Sequence, residues 1–153
     1  MTARRCLAAV AFLVAIACTS HGLPTAGCGG ATAAFGDRGT LQVEIADTDD
    51  ERQHGLMGIT DLPTNHGMAF RWEAPTDGTF WMKDTLIPLS VAFVDANDTI
   101  VTIQDMDPCV ADPCPTYAAT APYVTAIEAN QGWFEDHRID VGDEVTVMGG
   151  MCS

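Results

Sequence analysis

The stretch Phe80-Trp81-Met82-Lys83-Asp84-Thr85 sets the chain's only lysine between an indole and a carboxylate. Strand alternation predicts Phe80 and Met82 on one face, with Trp81 and Lys83 on the other. Two readings of the second face stay open. Lys83 can pair with Asp84 and lie over the indole, which is a purely structural arrangement. Alternatively, Trp81, Lys83, Asp84 and Thr85 line a pocket where a ring stacks and polar groups hydrogen-bond. Arg52 and His54 sit close together on a short predicted helix. Arg52 offers a guanidinium to any of many carboxylates, and His54 is of the type that moves protons. Glu128 stands in the apolar run Tyr123 to Ala129. If it points inward it must be paired, protonated or functional. A hydrolytic centre would use Glu128 or Asp84 with His54, and would need two of them within hydrogen-bonding distance in a cleft.

Cys109 and Cys114 are set among Pro108, Pro113 and Pro115. In an exported chain this reads as a local disulfide pinning the loop. A redox-active pair usually has two intervening residues, fewer than here. Zinc would want further thiol or imidazole ligands, and neither His66 nor His137 has matching spacing. Cys152 is then left over. Methionine is frequent, and the tail Met148-Gly149-Gly150-Met151-Cys152 would suit copper(I). Met57, Met68, Met82 and Met106 fit core filling equally. There is no Gly-rich phosphate loop, Gly-x-Ser-x-Gly elbow or His-Glu-x-x-His pair. These absences argue against common nucleotide-dependent enzymes, serine hydrolases and metalloproteases, and no cofactor is expected.

These groups must be positioned by short elements. Leu41, Val43 and Ile45 alternate with polar or small residues, which is strand periodicity. Thr48-Asp49-Asp50-Glu51 matches a capping box, predicting a helix to about Leu56, with Gly55 and Gly58 ending it. Met68 to Trp72 and Thr79 to Met82 read as strands around the turn Pro75 to Gly78. Ser90 to Val94 and Ile100 to Gln104 form the clearest hairpin, about Asp95 to Asp98. Asp107 to Thr120 reads as irregular. Tyr123 to Ala129 is a strand, Gln131 to Arg138 a short helix, and Glu144 to Met148 a last strand. The expected class is a strand-dominated α+β domain with two short helices. A curved or closed, barrel-like mixed sheet would manage its edges.

The N-terminus reads differently. Arg4 and Arg5 precede an apolar run from Cys6 to Cys18. That run is shorter than the roughly 20 residues that cross a bilayer, so a signal peptide over 1–18, or to 27, is expected. Cys18 and Cys28 each follow small residues and are candidate lipid anchors that would hold the domain to a membrane, whereas ordinary cleavage at the small residues would give a free secreted protein. Residues 19–39 read as a flexible tether, and 40–153 as a single domain. Loss of residues 1–28, with two arginines and no acid, takes the net charge from −14 to −16. Such a surface repels phosphates, so no nucleic-acid partner is expected. Abundant aspartate with one lysine also fits a high-salt setting, where screening suppresses self-repulsion.

The ordered motifs carry a resemblance. Val43 to Thr48, Glu51-Arg52 and Gly55-Leu56-Met57-Gly58 come first, followed by Gly67-Met68-Ala69-Phe70. Phe80 to Leu89, Phe93-Val94-Asp95, Pro108-Cys109, Cys114-Pro115-Thr116-Tyr117, Tyr123 to Glu128 and Gly142-Asp143 follow. The series resembles the domain of unknown function 192 family from residue 40 to about 148. The resemblance implies a compact, mostly β domain, often exported, with no established reaction, substrate or cofactor. The family usually has asparagine at Asp84, aspartate at Ser90 and often arginine at His54. The leading expectation is a binding module at the cell envelope for a small molecule, a glycan or an envelope protein. Trp81, Lys83, Asp84, Thr85, Arg52 and Glu128 are its candidate contacts. The hydrolytic centre and a methionine-based metal-handling domain are the alternatives.

Overall fold

The computed structural model describes residues 30–149. Nine strands and two short helices follow in the order β1 (Ala31–Ala34), β2 (Thr40–Ala46), α1 (Asp49–His54), β3 (His66–Thr76), β4 (Thr79–Trp81), β5 (Leu89–Val94), β6 (Ile100–Met106), β7 (Thr116–Ala118), β8 (Tyr123–Asn130), α2 (Trp133–Asp136) and β9 (Thr146–Met148). Seven strands form one mixed sheet in the order β6-β5-β8-β3-β2-β1-β9, and β4 pairs with β7 in a small second sheet. Only β2 and β3 run parallel, and α1 lies on the crossover between them. Such a crossover is what a parallel pair needs, because a tight hairpin cannot join strands of the same direction.

The strand-dominated α+β class with two short helices is as expected, but no sheet closes on itself. The barrel-like expectation is therefore corrected. β6 ends one side of the sheet and β9 the other, and β9 reaches the sheet by pairing with β1. That strand β1 lies inside the segment expected to be a tether. Ala31 and Ala33 are buried, so short side chains at alternate positions suffice to seat a strand against the core. β3 also runs longer than expected, passing through Pro75 beside a register shift between Arg71 and Thr76. Proline is tolerated there because the ladder is already interrupted. The region expected to be irregular contains β7.

Alternation splits the core between the two faces of the sheet. Ala69, Ala92, Val94, Ile127 and Ala129 face one side, where Trp133, Phe134 and Phe35 cover them. Met68, Phe70, Val91, Phe93 and Ala126 face the other, under Leu56, Leu62 and Met82. β8 lies between β5 and β3, so its side chains are flanked on both sides. On the second face, α1 and β4 leave a cleft.

Candidate functional site

The capping box sets α1. The Thr48 hydroxyl accepts from the Glu51 amide at 3.3 Å, and the Glu51 carboxylate accepts from the Thr48 amide at 3.0 Å. The Thr48 amide and hydroxyl, both donating to it, hold the Glu51 carboxyl below the usual carboxylate range. Gly55 ends the helix at φ 49°, a left-handed backbone, and a side chain there would press on the Phe70 ring. The chain then turns Leu56 into the core. One turn of helix thus sets Arg52 and His54 at the mouth of a cavity of about 260 Å³.

Arg52 makes three hydrogen bonds there. It donates to the carbonyls of Asp47 and Arg71 at 2.5 and 2.7 Å and pairs with Asp49 at 2.5 Å. Its guanidinium lies 5.3 Å from the Trp72 ring centroid. The aromatic wall behind it is a chain of edge-to-face contacts. Trp72 meets Tyr123 at 5.2 Å, and Phe80 meets Phe70 at 5.0 Å and Phe93 at 5.4 Å. The Tyr123 hydroxyl donates to the Gly78 carbonyl at 3.0 Å. Burial, and then the charge of Asp77, push that phenol up to about 12.

Glu128 lines the same cavity from the sheet. Its register partners are Met68 on β3 and Val91 on β5, so it rises from the sheet between two apolar neighbours. Gly67 lets β3 approach this closely, since a Cβ there would stand 2.1 Å from the Glu128 carbonyl oxygen. The residue is only 4% exposed. Neither a hydrogen bond nor a nearby charge acts on its carboxyl, and burial alone pushes it up to about 8. No buried side-chain nitrogen or oxygen among the described residues is sealed away without a partner. The Glu128 oxygens therefore keep contact with the cavity. At neutral pH the group is mostly a neutral acid, able to donate a hydrogen bond inward.

The other predicted contacts are divided. Thr85 is buried and lines the cavity. Trp81 reaches its rim but is 46% exposed. Lys83 and Asp84 stand outside it. Lys83 pairs with Asp112 at 3.2 Å and with Asp84 at 3.7 Å, and these carboxylates raise its pKa, Asp112 foremost. The structural reading thus accounts for Lys83, although the cation seated on an indole is Arg52 on Trp72. Asp84 adopts φ 54°, a backbone that asparagine also favours, which gives a physical reason for the residue usual in the resembled family. No hydrogen bond joins Glu128, Asp84 or His54, and Asp84 is absent from the cavity lining. Glu128 and His54 do line the same cavity, without a hydrogen bond between them.

Cys109 and Cys114 form a disulfide with Cα atoms 5.8 Å apart. The Cys109 carbonyl accepts from the Asp84 amide at 2.9 Å, so the pinned loop braces the segment that carries Thr85. Met68, Met82 and Met106 pack in the core of the second face, as fillers do. Among the described residues no group of three His, Cys, Asp or Glu is placed to hold a metal. Also among them, no helix is long and apolar enough to cross a membrane. Cys18, Cys28, Met151 and Cys152 lie outside the described residues. Sequence reasoning missed Trp72, Phe80 and Tyr123 as cavity walls. Phe70 and Trp72 share strand parity with Met68, but only the register of β3 on β8, with Met68 opposite Glu128 and Phe70 opposite Ala126, puts them on the face that Glu128 shares.

Fold and site together define an open mixed-sheet α+β domain with a buried acid under an aromatic cleft. The profile of the family DUF192, described as "Uncharacterized ACR", matches residues 31–147, and the chain belongs to that family. A protein of unknown function from Novosphingobium aromaticivorans DSM 12444 is 31% identical, with a TM-score of 0.67 over 76% of this chain and 83% of that one. A candidate transcription regulator from Sinorhizobium meliloti 1021 is 26% identical, with a TM-score of 0.69 over 78% of this chain and 92% of that one. No curated protein matches the chain.

Proposed function

We propose that this domain is a binding module whose ligand is a small molecule held in the cleft between α1 and the sheet. One observation carries the reading: Glu128 is buried, has no partner in the protein, and borders a cavity of about 260 Å³ walled by aromatic rings. A buried polar group without a partner is costly, so it is retained where something else uses it. The aromatic walls bury the body of a ligand, and the few polar groups orient it. Thr85 and the exposed Trp81 at the rim belong to the same site. The likeness to the candidate regulator from Sinorhizobium meliloti does not lead us to nucleic acid, because a net charge of −14 opposes approach to phosphate.

We also place the protein outside the cytoplasm, held at a membrane by lipid on Cys18 or Cys28. The basic start and short apolar run of the N-terminus support this.

Thermal melts of the full chain against metals, sugars, small acids and small amines, in low and high salt, test the binding reading. A ligand of the folded state raises the midpoint by mass action. A compound-specific rise that disappears in Trp72→Ala is expected. No rise with any compound, in a folded sample, would defeat the small-molecule reading and leave a glycan or envelope-protein surface to be sought. A midpoint that climbs with salt would support the high-salt reading of the charge, and an unchanged midpoint would remove it.

A further inference from the structure

We infer that the cavity takes a small organic cation, an amine or quaternary ammonium with an apolar body, and that the Glu128 carboxylate is its counter-ion. This ligand class rests on the small-molecule reading above and narrows it.

The chain's own cations are committed elsewhere. Arg52 gives three hydrogen bonds to Asp47, Arg71 and Asp49. Lys83 is held outside by Asp112 and Asp84. Neither acts on Glu128. Below about pH 8 an anionic or neutral ligand can take one hydrogen bond from the neutral acid; above it, the carboxylate repels the anion and a neutral ligand leaves the charge unpaired. A cation alone converts the buried acid into a paired carboxylate. The walls suit the same guest, because ring faces attract cations, and the cleft already seats one, Arg52, over Trp72. A net charge of −14 draws cations toward the surface in the first place. Size bounds the ligand. The cavity of about 260 Å³ exceeds the roughly 150 Å³ that holds benzene and falls short of the roughly 300–1,000 Å³ of drug-sized sites.

Binding then moves a proton. Below about pH 8 the Glu128 carboxyl enters as the neutral acid, and its O–H bond breaks as the ammonium pairs with the carboxylate. The ligand keeps its own proton, and the proton from Glu128 leaves to solvent. Other titratable groups lining the cavity are Asp49, Arg52 and His54 from α1 and Tyr123 from β8, with Asp77 near the phenol. β3, β4 and β5 bring only uncharged side chains against the cavity and Glu128.

Calorimetric titration of the full chain with phenethylammonium, tetramethylammonium, phenethyl alcohol and phenylacetate tests this. Above about pH 8 the ammonium compounds should bind at least about tenfold more tightly than the alcohol, and phenylacetate more weakly still. Ammonium affinity should rise by up to about tenfold per pH unit from about pH 6 and level off above about pH 8, with a proton released below that point. Repeating the series in His54→Gln assigns the slope to Glu128. Glu128→Gln, close in shape, should lose the ammonium preference and the pH dependence while still binding the alcohol. Equal binding of alcohol and ammonium, or undiminished ammonium binding in Glu128→Gln, would overturn the cation and leave small-molecule binding intact. No binding by these four compounds, with a thermal shift by a sugar, a metal or a small acid and by no amine, would do the same. Silence from every compound would overturn both.

Discussion

Glu128 concentrates the chemistry of this protein in one side chain. Burial raises its carboxyl from an ordinary 4.5 to about 8, and this has a consequence for folding. Below about pH 4.5 both folded and unfolded chains hold the proton. Between the two values the unfolded chain loses it while the folded one keeps it, so stability falls as pH rises. Above about pH 8 both forms are ionised, and a penalty on the order of a few kcal/mol is constant. Glu128→Gln has no such proton. Its thermal midpoint should match the native one near pH 4 and exceed it by a growing margin up to about pH 8. Melts across that range check this, and a margin that does not change with pH would mean the carboxyl is paired in solution. The carboxyls of Glu51, Asp95 and Asp143, held low by hydrogen bonds, act in the opposite sense but are common to both variants.

At the scale of elements, α1 controls the cleft although none of its residues is buried. Its hold comes from its ends: the capping box at one, and Gly55 with Leu56 at the other. Thr48→Ala removes the hydroxyl that accepts from Glu51 and should lower stability by about 1 kcal/mol, with Thr48→Ser close to native. Urea unfolding midpoints read both variants. The same box was legible from residue types alone, because capping is a contact between residues three apart. The β5–β6 hairpin was legible for the same local reason. β1 and β7 were not. Ala31 to Ala34 carries too little hydrophobic signal to announce a strand, and β7 exists because β4 offers it an edge. Within the site, Glu128, Arg52, Thr85 and Trp81 were picked out by type. Their division from Lys83 and Asp84 depends on a turn at positive φ that residue order does not display.

The whole molecule adds placement and charge. The sheet presents two cores, and the cleft opens on only one of them, over the interior strands β8 and β3. A surface with one lysine and abundant acid surrounds that opening with negative potential. The proposed anchor would set this surface beside a membrane. Mass spectrometry of the mature N-terminus checks it. A chain beginning at Cys18 or Cys28 and carrying a diacylglyceryl mass is expected. An unmodified start at another residue would leave the protein unanchored.

Taken alone, the sequence determined the family, the α+β class, the β5–β6 hairpin and the capped helix. All of these depend on period, propensity and neighbours close along the chain. Tertiary structure decided that the sheet stays open, that β1 joins it, and that Glu128 faces inward without a partner. The physical reason is register: a strand's side chains alternate, so one residue of shift would turn Glu128 to the other face. That choice is made by Met68 and Val91 on either side of it, from segments far away in the chain.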